Sequence, residues 1–174
     1  MSSTPILTQT YNTAYGSLLL GAYNNKLCLC DWQQRPTRAR IDKRIQGQLA
    51  SHYIEQACPL LDIVSEQLDD YFAHKTQTFD IPLLLIGTPF QQTVWQQLQK
   101  TPYGSTASYC QLAIAINKPR TSRAVANANN ANAISIIIPC HRIIGSDGSL
   151  TGYAGGLAVK QHLLELEQTK PIGR

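Results

Sequence analysis

Thr106-Ala107-Ser108-Tyr109-Cys110-Gln111-Leu112-Ala113-Ile114-Ala115-Ile116, then Asn117-Lys118-Pro119-Arg120, then Thr121 to Asn130, is the stretch whose reading decides the fold. Ser108 is a natural helix N-cap, because its hydroxyl can accept from the amides of the first turn, and the apolar residues behind it recur at helical spacing. Residues 117–120 are turn residues with a proline among them, and a second short helix runs from Thr121 to about Asn130. Helix, tight turn, helix is the helix-turn-helix pattern.

The second helix has an unusual face. Ser122, Ala124, Ala126, Ala128 and Ala131 are small, and Arg123 is the single charged residue of the segment. Two readings stand. Such a face can approach a narrow groove closely while inserting one arginine, or it can pack through its alanines as a plain core helix with Arg123 solvated.

Downstream, Ser135-Ile136-Ile137-Ile138 reads as a buried β-branched strand ended by Pro139, which places Cys140 at the rim of a sheet. The thiolate is the reactive form of cysteine, and the adjacent imidazole of His141 and the cation of Arg142 can lower a thiol pKa that is about 8.5 when free. The plainer reading makes Cys140 a small buried hydrophobe and His141 an ordinary surface residue.

Upstream, Thr88 can cap a helix with Pro89 at its first position and Phe90, Val94, Trp95 and Leu98 as its buried stripe, ended by Pro102-Tyr103-Gly104. Residues 74–88 mix polar residues, a short apolar strand and turn residues, and form a linker. Before them, Ile41 to Gln56 and Leu60 to Ala73 have helical spacing, and Tyr15 to Leu20 and Lys26 to Trp32, joined through Asn24-Asn25, form a hairpin. The expected architecture is an α/β N-terminal lobe over residues 1–86, a small β-sheet with helices, followed by a mainly α C-terminal lobe over residues 87–174 that contains the helix-turn-helix.

Composition bounds the class. The 174 residues suffice for a core without staples. No apolar run approaches the roughly 20 residues of a membrane span, and the first fourteen residues lack the basic start and apolar stretch of a signal peptide. Five cysteines, an odd number without framework spacing, point to reduced thiols and a cytoplasmic setting. The net charge of +4 is unevenly spread: residues 1–90 hold seven Lys/Arg against eight Asp/Glu, whereas residues 91–174 hold eight against three. A polyanion faces the second half more plausibly than the first. Cys28-x-Cys30 lacks a second pair of ligands, so neither metal nor cofactor is expected.

Gly87-Thr88-Pro89-Phe90-Gln91-Gln92-Thr93-Val94-Trp95, Pro102-Tyr103-Gly104, Ser108-Tyr109-x-x-Leu112-Ala113, Pro119-x-x-x-Arg123-Ala124-Val125, Asn132, Ile138-Pro139-Cys140-His141-Arg142-Ile143-Ile144-Gly145 and Gly148-x-x-x-Gly152-Tyr153-x-Gly155-Gly156-Leu157 hold an order and spacing that resemble the O6-alkylguanine-DNA alkyltransferase family. The resemblance runs from about residue 87 to residue 167. It implies that Cys140 takes an alkyl group from O6 of a damaged guanine once and irreversibly, with O4 of an alkylated thymine left open as a second substrate. His141 would withdraw the thiol proton, with Glu167 orienting the imidazole; Glu165 and Glu167 lie about 200° apart on a helix, so one alone can face the site. Tyr109 would assist the leaving purine, and Asn132 would brace the turn between recognition helix and Cys140. Many relatives have proline after that asparagine, where this chain has Ala133. Arg123 would fill the stack vacated by a flipped nucleotide, at an extrusion cost of a few kcal/mol. Tyr109, Cys110, Lys118 and Ser146 would contact the phosphate backbone, and Tyr153 with main-chain groups near Ile143 and Ala154 would line the guanine pocket. The implied partner is double-stranded DNA bearing O6-alkylguanine, bound by a monomer without a membrane. A non-catalytic alkyltransferase-like damage-binding protein lacks the motif cysteine, and a Cys-His hydrolase would leave Arg123 and the helix-turn-helix unexplained.

Overall fold

The computed structural model describes residues 3–169; residues 1–2 and 170–174 of the two expected lobes lie outside the described residues. The chain divides after Ile86 into two compact units.

The first unit is built on a four-stranded sheet. Strands β1 (Ile6–Thr13), β2 (Gly16–Tyr23) and β3 (Lys26–Trp32) form an antiparallel meander, and β4 (Tyr53–Glu55) adds parallel to β1, giving the order β3-β2-β1-β4. Asn24 and Asn25 both take positive φ, +47° and +59°, as a two-residue hairpin turn requires, and asparagine tolerates that conformation. Helix α1 (Arg38–Leu49) and helix α2 (Pro59–Phe72) complete the unit, burying Ile41 and Ile45 from α1 and Leu60, Leu61, Val64, Leu68 and Tyr71 from α2.

Two features of this unit depart from the sequence expectation. The helix expected to reach Gln56 ends at Leu49, because Ala50 turns left-handed at φ +46° and the chain after it extends to pair with β1 as β4. Strand β1 has no clear sequence signal: five of the eight residues of Ile6–Thr13 are Thr, Gln or Asn, and the strand is defined by its pairing on both edges.

The second unit is helical around a short two-stranded pair. Helix α3 (Pro89–Leu98) starts in a full capping box between Thr88 and Gln91. Gly87, before the cap, must be glycine, since a Cβ there would lie 2.4 Å from the Trp95 ring. Strand β5 (Ala107–Ser108) leads into α4 (Tyr109–Ala115), capped reciprocally by Ser108 and Gln111; after the turn comes α5 (Ser122–Asn130). Strand β6 (Ile143–Ile144) pairs parallel with β5, and α6 (Leu157–Gln168) closes the unit. The Trp95 indole N–H donates to the Ala128 carbonyl at 2.8 Å and ties α5 to α3.

Ser135 to Ile138 is not a strand. The segment is a buried coil of turns in which Ile136 has φ +70°, with Ile137 N–H bonded to the Ser135 carbonyl and Ile138 N–H to the Ile134 carbonyl. The physical reason is Asn132. Its buried amide accepts from the Ile134 N–H at 3.0 Å and donates to the Ile138 carbonyl at 3.0 Å, satisfying main-chain groups that a strand would leave to a neighbour. Cys140 therefore opens a 3-10 turn (Cys140–Arg142) and does not sit at the rim of a sheet.

Candidate active site

Cys140 is 3% exposed, at the point where α5, the turn before Pro139 and β6 converge. The Asn132 amide donates to its Sγ at 3.2 Å, a contact that favours sulfur carrying negative charge. Asn129, on the buried side of α5, points its amide at the Cys140 carbonyl at 3.4 Å.

His141 is fully buried, with Nε2 2.7 Å from Oε1 of Glu167. Burial lowers its pKa, and the neighbouring carboxylate opposes that shift without cancelling it, so the ring is held neutral. Nδ1 has no partner among the described residues. A neutral imidazole that donates through Nε2 carries its basic lone pair on Nδ1. Burial alone would raise the Glu167 pKa, but hydrogen bonds and charge from His141 and Arg142 outweigh it and bring the carboxyl to about 2. Glu165, in contrast, is held by Gln161 on the exposed side of the helix.

Arg142 does something other than polarise the thiol, the role its place in the sequence suggests. Its Nε and Nη2 donate to the two oxygens of Glu167 at 2.9 Å each, its Nη1 donates to the Thr101 carbonyl at 2.7 Å, and its guanidinium lies 5.6 Å from the Tyr103 ring centroid. The short 3-10 turn projects Cys140, His141 and Arg142 in different directions, and the arginine side chain ends on the carboxylate.

Lys160 is a site residue that the sequence motifs do not mark. It is 0% exposed and donates to the carbonyls of Ile143 and Thr151, the latter at 2.9 Å. Burial brings its pKa down to about 8 against a smaller opposing pull from Cys140. The available signal is spacing: Lys160, Leu163 and Glu167 fall on one face of α6 and all three are buried.

Tyr109 begins α4, and its hydroxyl donates to the Thr151 carbonyl at 3.2 Å. Burial raises its pKa, with a further push from Cys140. Tyr153 meets the His141 ring edge-on with centroids 6.5 Å apart. The parallel pairing of β5 with β6 brings Tyr109 and Cys110 to this region, since Ser108 pairs with Ile144. Both main-chain groups of Ile143 are engaged, the amide on the Cys140 carbonyl and the carbonyl by Lys160. Ala154 is half-buried.

Other expected residues lie on the exposed side of this unit. Arg123 is exposed on α5; Lys118 is exposed, with Nζ 5.4 Å from the Phe90 ring centroid. The exposed Cys110 thiol receives the hydroxyls of Ser122 at 3.4 Å and Ser146 at 3.7 Å, which lower its pKa. Among the described residues no group of three or more His, Cys, Asp or Glu side chains is placed to hold a metal ion, and no helix is long and apolar enough to cross a membrane.

Residues 89–169 match the family described as 6-O-methylguanine DNA methyltransferase, DNA binding domain. The chain is 55% identical over 104 residues to a methylated-DNA-protein-cysteine methyltransferase of Methanosarcina barkeri, covering 60% of this chain and 66% of that relative. It is 47% identical over 111 residues to a constitutive methylated-DNA-protein-cysteine methyltransferase of Bacillus subtilis, covering 63% and 67%. The match thus spans about two thirds of the length of these curated relatives. A crystal structure of Mycobacterium tuberculosis OGT in complex with DNA superposes with a TM-score of 0.80 at 38% identity, covering 93% of this chain and 92% of that one. The chain belongs to the O6-methylguanine-DNA methyltransferase family. The matched stretch of this methyltransferase family contains α3, the α4–α5 pair, the Cys140 turn and α6 through Glu167, which are the elements that build the site. The first unit lies outside that stretch, and the likeness over 93% of the chain extends the fold to it.

Proposed function

We propose that the protein repairs DNA by moving the alkyl group of O6-alkylguanine onto its own Cys140, once per molecule. The observation that carries this reading is a buried thiol whose sulfur faces an amide donor, followed directly in the chain by a buried, neutral imidazole with a basic nitrogen to spare that Glu167 and Arg142 hold in place.

The thiol proton passes to Nδ1 of His141, directly or through one water. Glu167 fixes the tautomer and stabilises the imidazolium, and Arg142 keeps that carboxylate ionised. Sγ attacks the alkyl carbon, the bond from that carbon to O6 breaks, and the electron pair leaves on the purine. Tyr109, kept protonated by its raised pKa, gives the purine a hydrogen bond as negative charge develops on it. The product thioether has no leaving group that water could displace, so the chain is a stoichiometric acceptor.

Helices α4 and α5 act as a helix-turn-helix. The small residues of α5 lie against the minor groove, Arg123 takes the place of the extruded nucleotide, and Tyr109, Cys110, Lys118 and Ser146 meet phosphates. Tyr153 and the main chain around Ala154 line the pocket; since the Ile143 amide and carbonyl already have partners, the remaining lone pair of that carbonyl is what it offers the base. The protein acts as a cytoplasmic monomer, a setting in keeping with five cysteines that are all free thiols.

Incubation with a duplex containing O6-methylguanine tests the reading by intact mass and peptide mapping. One methyl group gained per chain, located on Cys140 and absent from Cys140→Ser, is expected; retention of the damaged duplex without any mass gain would overturn it in favour of a damage-binding protein.

A further inference from the structure

The first unit carries a strongly basic face that the chemistry at Cys140 does not use. Between residues 35 and 44 stand Arg35, Arg38, Arg40, Lys43 and Arg44. Arg35 and Arg38 both bond to the buried Asp31, at 2.8 and 2.7 Å, and Arg38 also pairs with Asp42. Arg40 and Lys43 are exposed and spaced i, i+3 along α1 as one stripe, away from the face that buries Ile41 and Ile45, with the half-buried Arg44 beside them. No acidic side chain falls on that stripe, since Asp42, the only one in the helix, is held by Arg38 and by the Tyr53 hydroxyl. Burial first, then the neighbouring Arg35, Arg38 and Arg40, bring the Arg44 pKa down to about 10 against the opposing pull of Asp31, so this half-buried guanidinium stands at the inner edge of the stripe.

The next residue on the stripe is Gly47. A glycine inside a helix is destabilising relative to alanine, and nothing in this unit demands it. A Cβ there would meet no atom within 4 Å, and its backbone is not in the left-handed region. The position that does suit glycine, the left-handed C-cap at φ +46°, holds Ala50 instead. Bare backbone beside a row of cations is what a surface approached closely by a charged strand needs.

We infer that the outer face of α1, formed by Arg40, Lys43 and Gly47, docks on the phosphate backbone of DNA as a contact surface separate from the α4–α5 pair. The inference rests on the proposed function for the identity of the polyanion. The charge of a duplex, one per about 1.7 Å of its axis, favours DNA over the acidic face of α2 on a second copy. On α2, Asp62 and Glu66 stand with Asp69, which accepts from the Tyr11 hydroxyl, and Asp70, which faces Lys75 at 3.9 Å.

The test compares the full-length protein with Arg40→Gln/Lys43→Gln and with Gly47→Gln. Affinity for an undamaged duplex is measured between about 50 and 200 mM salt, where each phosphate that the protein neutralises adds about 0.9 to the slope of log K against log salt. The double variant is expected to reduce that slope by about 0.9 to 1.8, the share of one or two phosphates, and to weaken binding several-fold at the low-salt end. Its rate of alkylation by free O6-benzylguanine, which needs no duplex, should be unchanged. Gly47→Gln is expected to raise Tm while weakening duplex binding, two opposite signs that a merely solvated face would not give. Slopes and affinities equal to wild type overturn the inference, as does a double variant whose only change is weaker self-association in sedimentation, which would assign the face to α2 of a second copy. Wild type that fails to take a methyl group from a damaged duplex marks the failure of the functional reading; wild type that takes it, with variants that bind like wild type, marks the failure of this inference alone.

Discussion

Arg142 grips both carboxylate oxygens of Glu167, Nε on Oε2 and Nη2 on Oε1, each at 2.9 Å, with the carboxylate residue 4% exposed. A planar fork on a carboxylate is the strongest arrangement of this pair, and breaking it leaves a buried charge without its counterion. Arg142→Met should lower unfolding free energy by about 3–5 kcal/mol. Glu167→Gln should do comparable damage by stranding the guanidinium. The double variant Arg142→Met/Glu167→Gln should recover much of the loss, because no charge is left uncompensated. Urea unfolding of the three proteins decides this; additive losses would show that the two residues do not act as a pair.

The same pair sets an acid limit. The Glu167 pKa falls from its ordinary 4.5 to about 2 in the fold, so its contribution is complete above pH 4.5 and is lost as pH drops from 4.5 towards 2. The size is about 3 kcal/mol, from 1.36 kcal/mol per unit. His141 acts in the same direction at higher pH: its folded pKa is below 6.5, so the unfolded chain takes up a proton first and stability begins to fall once pH drops below 6.5. Denaturant midpoints should therefore decline from about pH 6.5 and more steeply below 4.5. In Arg142→Met/Glu167→Gln the second decline should be shallower; an unchanged acid limb would place it on other carboxylates.

Much of this site is legible in the sequence because its chemistry lies in short, ordered motifs. Thr88-Pro89 and Ser108 mark two helix starts, and both carry reciprocal capping boxes. Helical geometry allows only one of Glu165 and Glu167 to face the site, and spacing from the Gly155-Gly156 pair favours the second. What stays hidden depends on groups that meet across the fold. Ile136 and its neighbours have the residue types of a strand, yet Asn132 supplies their hydrogen bonds and a turn results. Arg142 looks like a partner for the thiol because it is two residues away, whereas its side chain reaches a carboxylate twenty-five residues on. Strand β4 follows a helix that stops at an alanine in the left-handed region, a stop that has no sequence signal.

Lys160 holds two main-chain segments together, one through the carbonyl of Ile143 and the other through that of Thr151, to which Tyr109 also donates. Lys160→Met keeps the aliphatic stem and removes three donors, leaving carbonyls without the partner they had. A loss of about 1–3 kcal/mol is expected, together with a slower methyl transfer at saturating duplex, because the Thr151 carbonyl that positions Tyr109 is released. The lysine pKa of about 8 lies below its ordinary 10.5, so the unfolded chain binds the extra proton between these values and wild-type stability should rise with pH across that window. That rise should be absent from Lys160→Met, as seen in denaturant midpoints at about pH 8 and about pH 10; a variant that retains it would assign the proton elsewhere.

Tyr109 stands at the first position of α4 with its hydroxyl on the Thr151 carbonyl, and burial raises its pKa above 10. A phenol with a raised pKa stays a donor across the neutral range, which suits a group meeting a purine as negative charge gathers on it. Tyr109→Phe keeps the ring and removes the donor. Transfer from an O6-methylguanine duplex under single-turnover conditions should slow by about 100-fold, the lower end of what a positioned proton donor contributes, while affinity for undamaged duplex changes little because the main-chain amide that meets phosphate at the start of α4 is kept. The wild-type rate should show no alkaline decline assignable to this phenol below pH 10. Equal rates for Tyr109→Phe and wild type would remove the phenol from the reaction, and a large loss of duplex affinity with an unchanged rate at saturation would make Tyr109 a DNA contact alone.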